Sequence, residues 1–187
     1  MVEALIATTH RLLLLLGLLT FPSTVLAHRL DEYLQATLVA IEPRGVRLQI
    51  NLTPGVAVAE KVLAQIDRDR DSAISRKEGA AYAELLKRDL TLRIDGRRLK
   101  LKLTASEFPA ITELRSGLGI IQMEFSATHS LLAAGAHSLA FENRHLTNVS
   151  VYLLNAARPV SGTIQIVSQK RDDNQRTGEI EFTYDRR

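Results

Sequence analysis

Most of the chain from residue 34 onwards reads as short runs in which apolar residues recur at every second position, and in one window, 54–88, the spacing changes to three and four. That single change of period constrains the fold more than any other feature. A period of two sends alternate side chains to opposite faces of a strand, whereas a period near 3.6 gathers them on one face of a helix. "LQATLVAIE" (34–42) and "VRLQINL" (46–52) flank Pro43, Arg44 and Gly45, and in the second run Val46, Leu48, Ile50 and Leu52 alternate with polar residues. "LTLRID" and "LKLKL" flank Asp95-Gly96, a two-residue hairpin signal. "GIIQMEFSA", "HSLAFEN", "VSVYLLNA", "TIQIVSQ" and "EIEFTY" complete a set of nine short runs; in the last, Ile180, Phe182 and Tyr184 share a face. Runs of this length separated by turn residues predict a mainly β fold, an antiparallel β-sandwich, with a β-barrel as the alternative.

Within the exceptional window Val58, Val62 and Ile66 recur at four-residue steps, as do Ala59 and Leu63. Tyr82, Leu85 and Leu86 mark a second amphipathic face. Thr53-Pro54 reads as an N-cap followed by proline at the first helical position. The expectation is therefore a helix-loop-helix insertion over residues 54–89, placed between two strands of one domain spanning 28–187.

Residues 1–27 are set apart from that domain. Arg11 supplies a positive region, "LLLLLGLLTF" (12–21) an apolar stretch too short for a stable span, and Val25 and Ala27 small residues at a cleavage site. This is the layout of a secretory signal peptide, and an uncleaved N-terminal anchor is the competing reading. Cleavage after Ala27 predicts an exported protein, periplasmic or secreted, without a membrane span in its mature form. The chain has no cysteine, so in an oxidising compartment its stability must come from the core or from bound ligands. A net charge of +3 spread along the chain, with 5% aromatic residues, argues against a nucleic-acid partner.

The loop between the two helical faces is "DRDRDSAISRKE", residues 67–78. Its carboxylates stand at alternate positions, Asp67, Asp69 and Asp71, and Glu78 follows after the turn. A hard cation such as calcium takes six to eight oxygens, and alternate spacing lets successive side chains turn towards one centre. The segment resembles an EF-hand over about residues 55–88. The resemblance implies ligands at Asp67, Asp69 and Asp71, the backbone carbonyl of Ala73, Ser75 through a water, and Glu78 through both carboxylate oxygens, with Ile74 plugging the loop into the core. It departs from the EF-hand pattern at Ser72, where glycine is usual for its left-handed backbone, and at Gly79, where an apolar residue is usual. Arg68, Arg70, Arg76 and Lys77 cancel the four acidic charges. A lone, self-neutralised loop implies weak binding, on the order of 10⁻⁴–10⁻³ M, and a structural rather than sensory role.

The same residues admit a metal-free reading. "SRKE" is a capping box, with Ser75 as N-cap and Glu78 at the third helical position. The hairpin is then a capped turn within a module that serves a membrane partner. "AHRLDEYLQ" and "NRHLTNVSVYLLNA" (143–156) resemble exported segments associated with nickel/cobalt-permease-type membrane proteins of the hydrogenase and urease accessory class. That resemblance implies an accessory periplasmic role beside a permease or other envelope protein, and carries no catalytic residue. A third reading places a transition metal on the mature N-terminal His28, with help from His129, His137 or His145. The chain offers no nucleophile elbow, no cysteine nucleophile and no phosphate-cradling glycine loop, so enzyme activity is not expected. Glu113 and Glu124 are the carboxylate pair an enzyme reading would need to bring together.

Overall fold

Pro43 and Arg44 turn the chain between β1 (Tyr33–Glu42) and β2 (Gly45–Pro54), which pair antiparallel along their whole length, from Glu42 opposite Gly45 to Tyr33 opposite Pro54. The computed structural model describes residues 31–130 and 132–186; the expected leader and His28 lie outside the described residues. After β2 come α1 (Val56–Ile66), α2 (Arg76–Asp89), β3 (Leu90–Ile94), β4 (Arg97–Arg98) and β5 (Lys102–Glu107). The chain then continues through α3 (Ile111–Arg115), β6 (Ile121–Thr128), β7 (Gly135–Asn143), β8 (Ser150–Ala156), β9 (Ile164–Arg171) and β10 (Thr177–Tyr184).

The strands form two five-stranded sheets, ordered β5-β6-β2-β1-β8 and β4-β3-β7-β10-β9. Both contribute to one apolar cluster, in a sandwich-like arrangement. Leu48, Ile50 and Leu52 of β2 are wholly buried in the same cluster as Leu92, Leu139, Ile180 and Phe182 of the other sheet's strands. Each such side chain contributes about 1.5–3 kcal/mol on leaving water. The mainly β expectation holds, with one correction to its antiparallel character: β1 and β8 run parallel, Tyr33 opposite Ser150 and Val39 opposite Ala156. The chain reaches β8 from β7 by crossing between sheets rather than by a hairpin, so nothing forces the direction to reverse.

Three further details differ from the sequence reading. "LKLKL" is not one strand. The hairpin at Asp95-Gly96 forms, with φ of 49° and 76° as a type I′ turn requires, but β4 is two residues long. Leu99 and Leu101 then carry the chain to the other sheet, where Leu103 joins β5; all three pack partly buried against the core, and that burial outweighs a longer hairpin. The first helix begins at Val56 with Gly55 as N-cap, because Thr53 and Pro54 stay in the β2 ladder opposite Leu34 and Tyr33. The short α3 carried no periodic signal; Glu113 caps it by accepting from the Ala110 N–H at 3.2 Å.

The edge of β8 is covered by side chains. Gln169 of β9 accepts from the Ala156 N–H (3.0 Å) and donates to the Leu154 carbonyl (3.0 Å). Gln175, in the β9–β10 turn, accepts from the Leu154 N–H at 3.5 Å. Amides thus stand in for the strand that is missing there. No helix among the described residues is long and apolar enough to cross a membrane.

Candidate metal centre

α1 buries Val58, Ala59, Val62, Leu63 and Ile66, the positions its four-residue spacing singles out, and α2 buries Tyr82, Ala83 and Leu86. The two helices leave the β2–β3 connection and return to it, so the 67–75 loop hangs between an exit and an entry that the core fixes. Asp67 is the C-cap of α1, its N–H donating to the Leu63 carbonyl at 2.8 Å. Ser75 is the N-cap of α2. Ile74 packs partly buried against the core.

Within the loop each aspartate commits one oxygen to the backbone ahead of it. Asp67 Oδ2 accepts from the Ser72 N–H at 3.2 Å, Asp69 Oδ1 from the Asp71 N–H at 3.3 Å, and Asp71 Oδ1 from the Ala73 N–H at 2.8 Å. These short-range turns wind the loop so that the three carboxylates converge, with one ligand atom of each within 4.8 Å of the others. Winding requires left-handed backbone at Arg70 (φ 62°) and Ser72 (φ 65°). The strain expected at Ser72 is therefore present, and the aspartate bonds are what hold it. Asp67 is 8% exposed, and its second oxygen, Oδ1, is enclosed without a hydrogen-bond partner. A buried carboxylate oxygen left unpaired is costly unless a cation meets it.

Ser75 and Glu78 have a different set of contacts. The Ser75 hydroxyl accepts from the Glu78 N–H at 3.3 Å and donates to Glu78 Oε2 at 2.7 Å, while the Ser75 N–H donates to the same oxygen at 3.0 Å. Glu78 Oε1 accepts from the Arg68 N–H at 2.7 Å, so one carboxylate ties the start of the loop to its end. The Ser75 hydroxyl and N–H, with the Arg68 and Asp69 N–H groups, pull the Glu78 carboxyl down to about 2 from its ordinary 4.5. Of the six implied ligand residues, Asp67, Asp69 and Asp71 stand together, Ala73 lies on the same turn, and Ser75 and Glu78 form the capping box. Gly79, beside them, faces the Phe108 ring: a Cβ there would lie 2.8 Å from Phe108 Cε2.

Two turns along α2, sequence reasoning missed a buried polar cluster. Tyr82 Oη lies 2.7 Å from Tyr33 Oη and 3.1 Å from His145 Nε2, and His145 Nδ1 lies 2.7 Å from Asp89 Oδ2. Burial lowers the His145 pKa against the pull of Asp89, and burial raises both tyrosines. The imidazole is then neutral at pH 7, donating from Nδ1 to Asp89 and accepting at Nε2 from Tyr82, whose oxygen accepts from Tyr33. Gln35 donates to the His145 carbonyl (2.8 Å) and the Ser150 hydroxyl (2.6 Å) and accepts from Asn143 Nδ2 (2.8 Å). Tyr152 donates to the His145 carbonyl at 2.8 Å. The two stretches "DEYLQ" and "NRHLTNVSVY" therefore meet here, although more than a hundred residues separate them.

Of the described histidines considered for a transition metal, His145 and His137 have both ring nitrogens engaged, whereas His129 Nε2 is enclosed without a hydrogen-bond partner. Both ring nitrogens of His145 are used in that cluster, and His137 uses Nδ1 on Asp95 (2.7 Å) and Nε2 on the Ala133 carbonyl (2.8 Å). His129 holds the Ser130 carbonyl through Nδ1. Glu113 and Glu124 have separate partners: the first caps α3, and the second accepts from Gln49 on the outer face of β6. No protein-family model matches the chain, and no curated protein or solved structure matches it.

Proposed function

We propose that the loop of residues 67–78 binds a single calcium ion in the manner of an EF-hand, and that this exported, non-enzymatic protein uses the ion to brace its helical hairpin against the β-sheets. The observation that carries the reading is the enclosed, unpartnered Asp67 Oδ1, one of three aspartates that converge within 4.8 Å. Asp67, Asp69 and Asp71 would hold the ion, the Ala73 carbonyl and a water on Ser75 would add oxygens, and Glu78 would exchange its cap for coordination. Calcium supplies two positive charges and tolerates an irregular shell of six to eight oxygens, which suits a loop of mixed carboxylate, carbonyl and hydroxyl donors better than the strict octahedron of magnesium.

One observation favours the competing reading, in which the hairpin is a metal-free part of an interaction module for a membrane permease. The capping box accounts for Ser75 and Glu78 without any ion. It leaves Asp67 Oδ1 unexplained, and for that reason the calcium reading is preferred. A thermal melt separates the two. With affinity on the order of 10⁻⁴–10⁻³ M, 10 mM calcium stabilises by about 1.4–2.7 kcal/mol, a rise of roughly 3–10 °C over chelator. Glu78→Gln should weaken binding by about ten-fold or more in calorimetry while the strands stay intact. A melt indifferent to calcium and chelator would refute the proposal and leave the capped module.

A further inference from the structure

We infer that Tyr82, backed by Tyr33, His145 and Asp89, is a positioning residue for the ion loop: it sets how tightly the loop holds calcium without touching the ion. The inference rests on the calcium reading above. Its basis is mechanical. The two ends of the loop belong to different helices, Asp67 to the end of α1 and Glu78 to the first turn of α2. The separation of those ends, and so the fit around an ion, depends on where each helix is held.

α1 is held by an apolar face along its whole length, a non-directional grip, with one exposed ion pair at its middle, Glu60 to Arg115 Nε at 2.6 Å. α2 is held directionally as well. Tyr82 and Asp89 are seven residues apart, two turns on one helical face, and a single imidazole joins them: His145 Nε2 to Tyr82 Oη at 3.1 Å and Nδ1 to Asp89 Oδ2 at 2.7 Å. The backbone follows, with the Arg144 N–H donating to the Asp89 carbonyl at 2.9 Å. His145 is itself held through its N–H by Asn143 and through its carbonyl by Gln35 and Tyr152, so the clamp is built into β1, β7 and β8. Tyr82 lies four residues beyond Glu78, about 6 Å along the axis. A shift of α2 that carries Glu78 towards the aspartates moves the Tyr82 hydroxyl by a similar amount, and hydrogen bonds weaken steeply with distance and angle. Ion binding at the loop and the geometry at His145 are therefore two readings of one helix position, and by linkage each biases the other.

The test follows the purified protein by calorimetry with calcium and by NMR of the His145 ring. In the wild type, calcium should bind and move the His145 imidazole resonances, which a merely structural cluster would not do. Tyr82→Phe removes one hydroxyl and keeps the ring, and should weaken calcium by roughly two- to thirty-fold, the range of measured long-range couplings. Should that variant fold poorly, Asp89→Asn at the partly exposed end of the clamp serves instead, with the same direction of change expected. Calcium heat with unmoved His145 resonances, or wild-type affinity in both variants, would overturn the inference and leave the calcium site standing. Absence of calcium heat in the wild type would end the calcium reading and this inference with it.

Discussion

A methyl group on Gly79 would lie 2.8 Å from the Phe108 ring, closer than a packed carbon tolerates. The ring in turn meets Tyr82 edge-on, with the ring centroids 6.4 Å apart, a contact that swinging away would give up. Gly79→Ala therefore sets two effects against each other: about 1 kcal/mol gained from helix propensity, and about 1–3 kcal/mol lost to overpacking. Overpacking should win by about 1 kcal/mol in denaturant unfolding. In a Phe108→Ala background the sign should reverse, because the obstacle is gone; a double-mutant cycle without that reversal would locate the constraint elsewhere. The contrast explains why the acidic loop was legible in the sequence and the reason for Gly79 was not. Each loop aspartate acts on a backbone N–H two or five residues ahead, a local pattern that spacing exposes. Gly79 answers to Phe108, a neighbour set by tertiary packing, and the Tyr82–His145 contact spans 63 residues.

Strands β2 and β10 bury the alternate residues their hydrophobicity selects, but β1 does not follow that rule. Its inward face carries Tyr33, Gln35, Thr37, Val39 and Ile41, while Leu34 and Leu38 stay 37% and 38% exposed. Alternation gives the period and leaves the face open; here the hydrogen bonds of Gln35 and Tyr33 decide it. A second element-level bond ties the β3–β4 turn to β7. His137 bridges Asp95 and the Ala133 carbonyl, and both of its ring nitrogens must donate, which only the imidazolium can do. Desolvation lowers its pKa, but the Ala133 carbonyl and the Asp95 carboxylate outweigh that and raise it above the ordinary 6.5. A raised folded pKa contributes stability that is fully present below about 6.5 and fades as pH rises through the folded value. The melting-temperature gap between wild type and His137→Gln should accordingly be widest near pH 6 and narrow as pH rises through that folded value. A gap unchanged with pH would mean that the bridge does not depend on the charge.

At the scale of the molecule, two five-stranded sheets close around one core, and closure leaves edge strands that could recruit another chain. At the β8 edge the backbone groups of Leu154 and Ala156 are met by amides, and the Arg171 guanidinium beside them donates to the Asn155 side chain at 2.8 Å. Gln169 pairs with both polar groups of the stretch at Leu154 and Ala156, as a neighbouring strand would, and Gln175 adds the Leu154 N–H. Just behind that edge, Leu154 fills the space that a Cβ on Gly178 of β10 would need. Val151 and Leu153, facing outwards from the same strand at 36% and 39% exposure, offer apolar area to anything that pairs there. Replacing both guards, Gln169→Ala with Gln175→Ala, removes the substitute strand and leaves the groups it covered open to a second copy. The double variant should stay folded, since the core is untouched, yet show a concentration-dependent rise in mass by light scattering, while the wild type holds its mass over the same range. Equal mass for the two proteins across that range would mean that side-chain amides are not what keeps this edge unpaired.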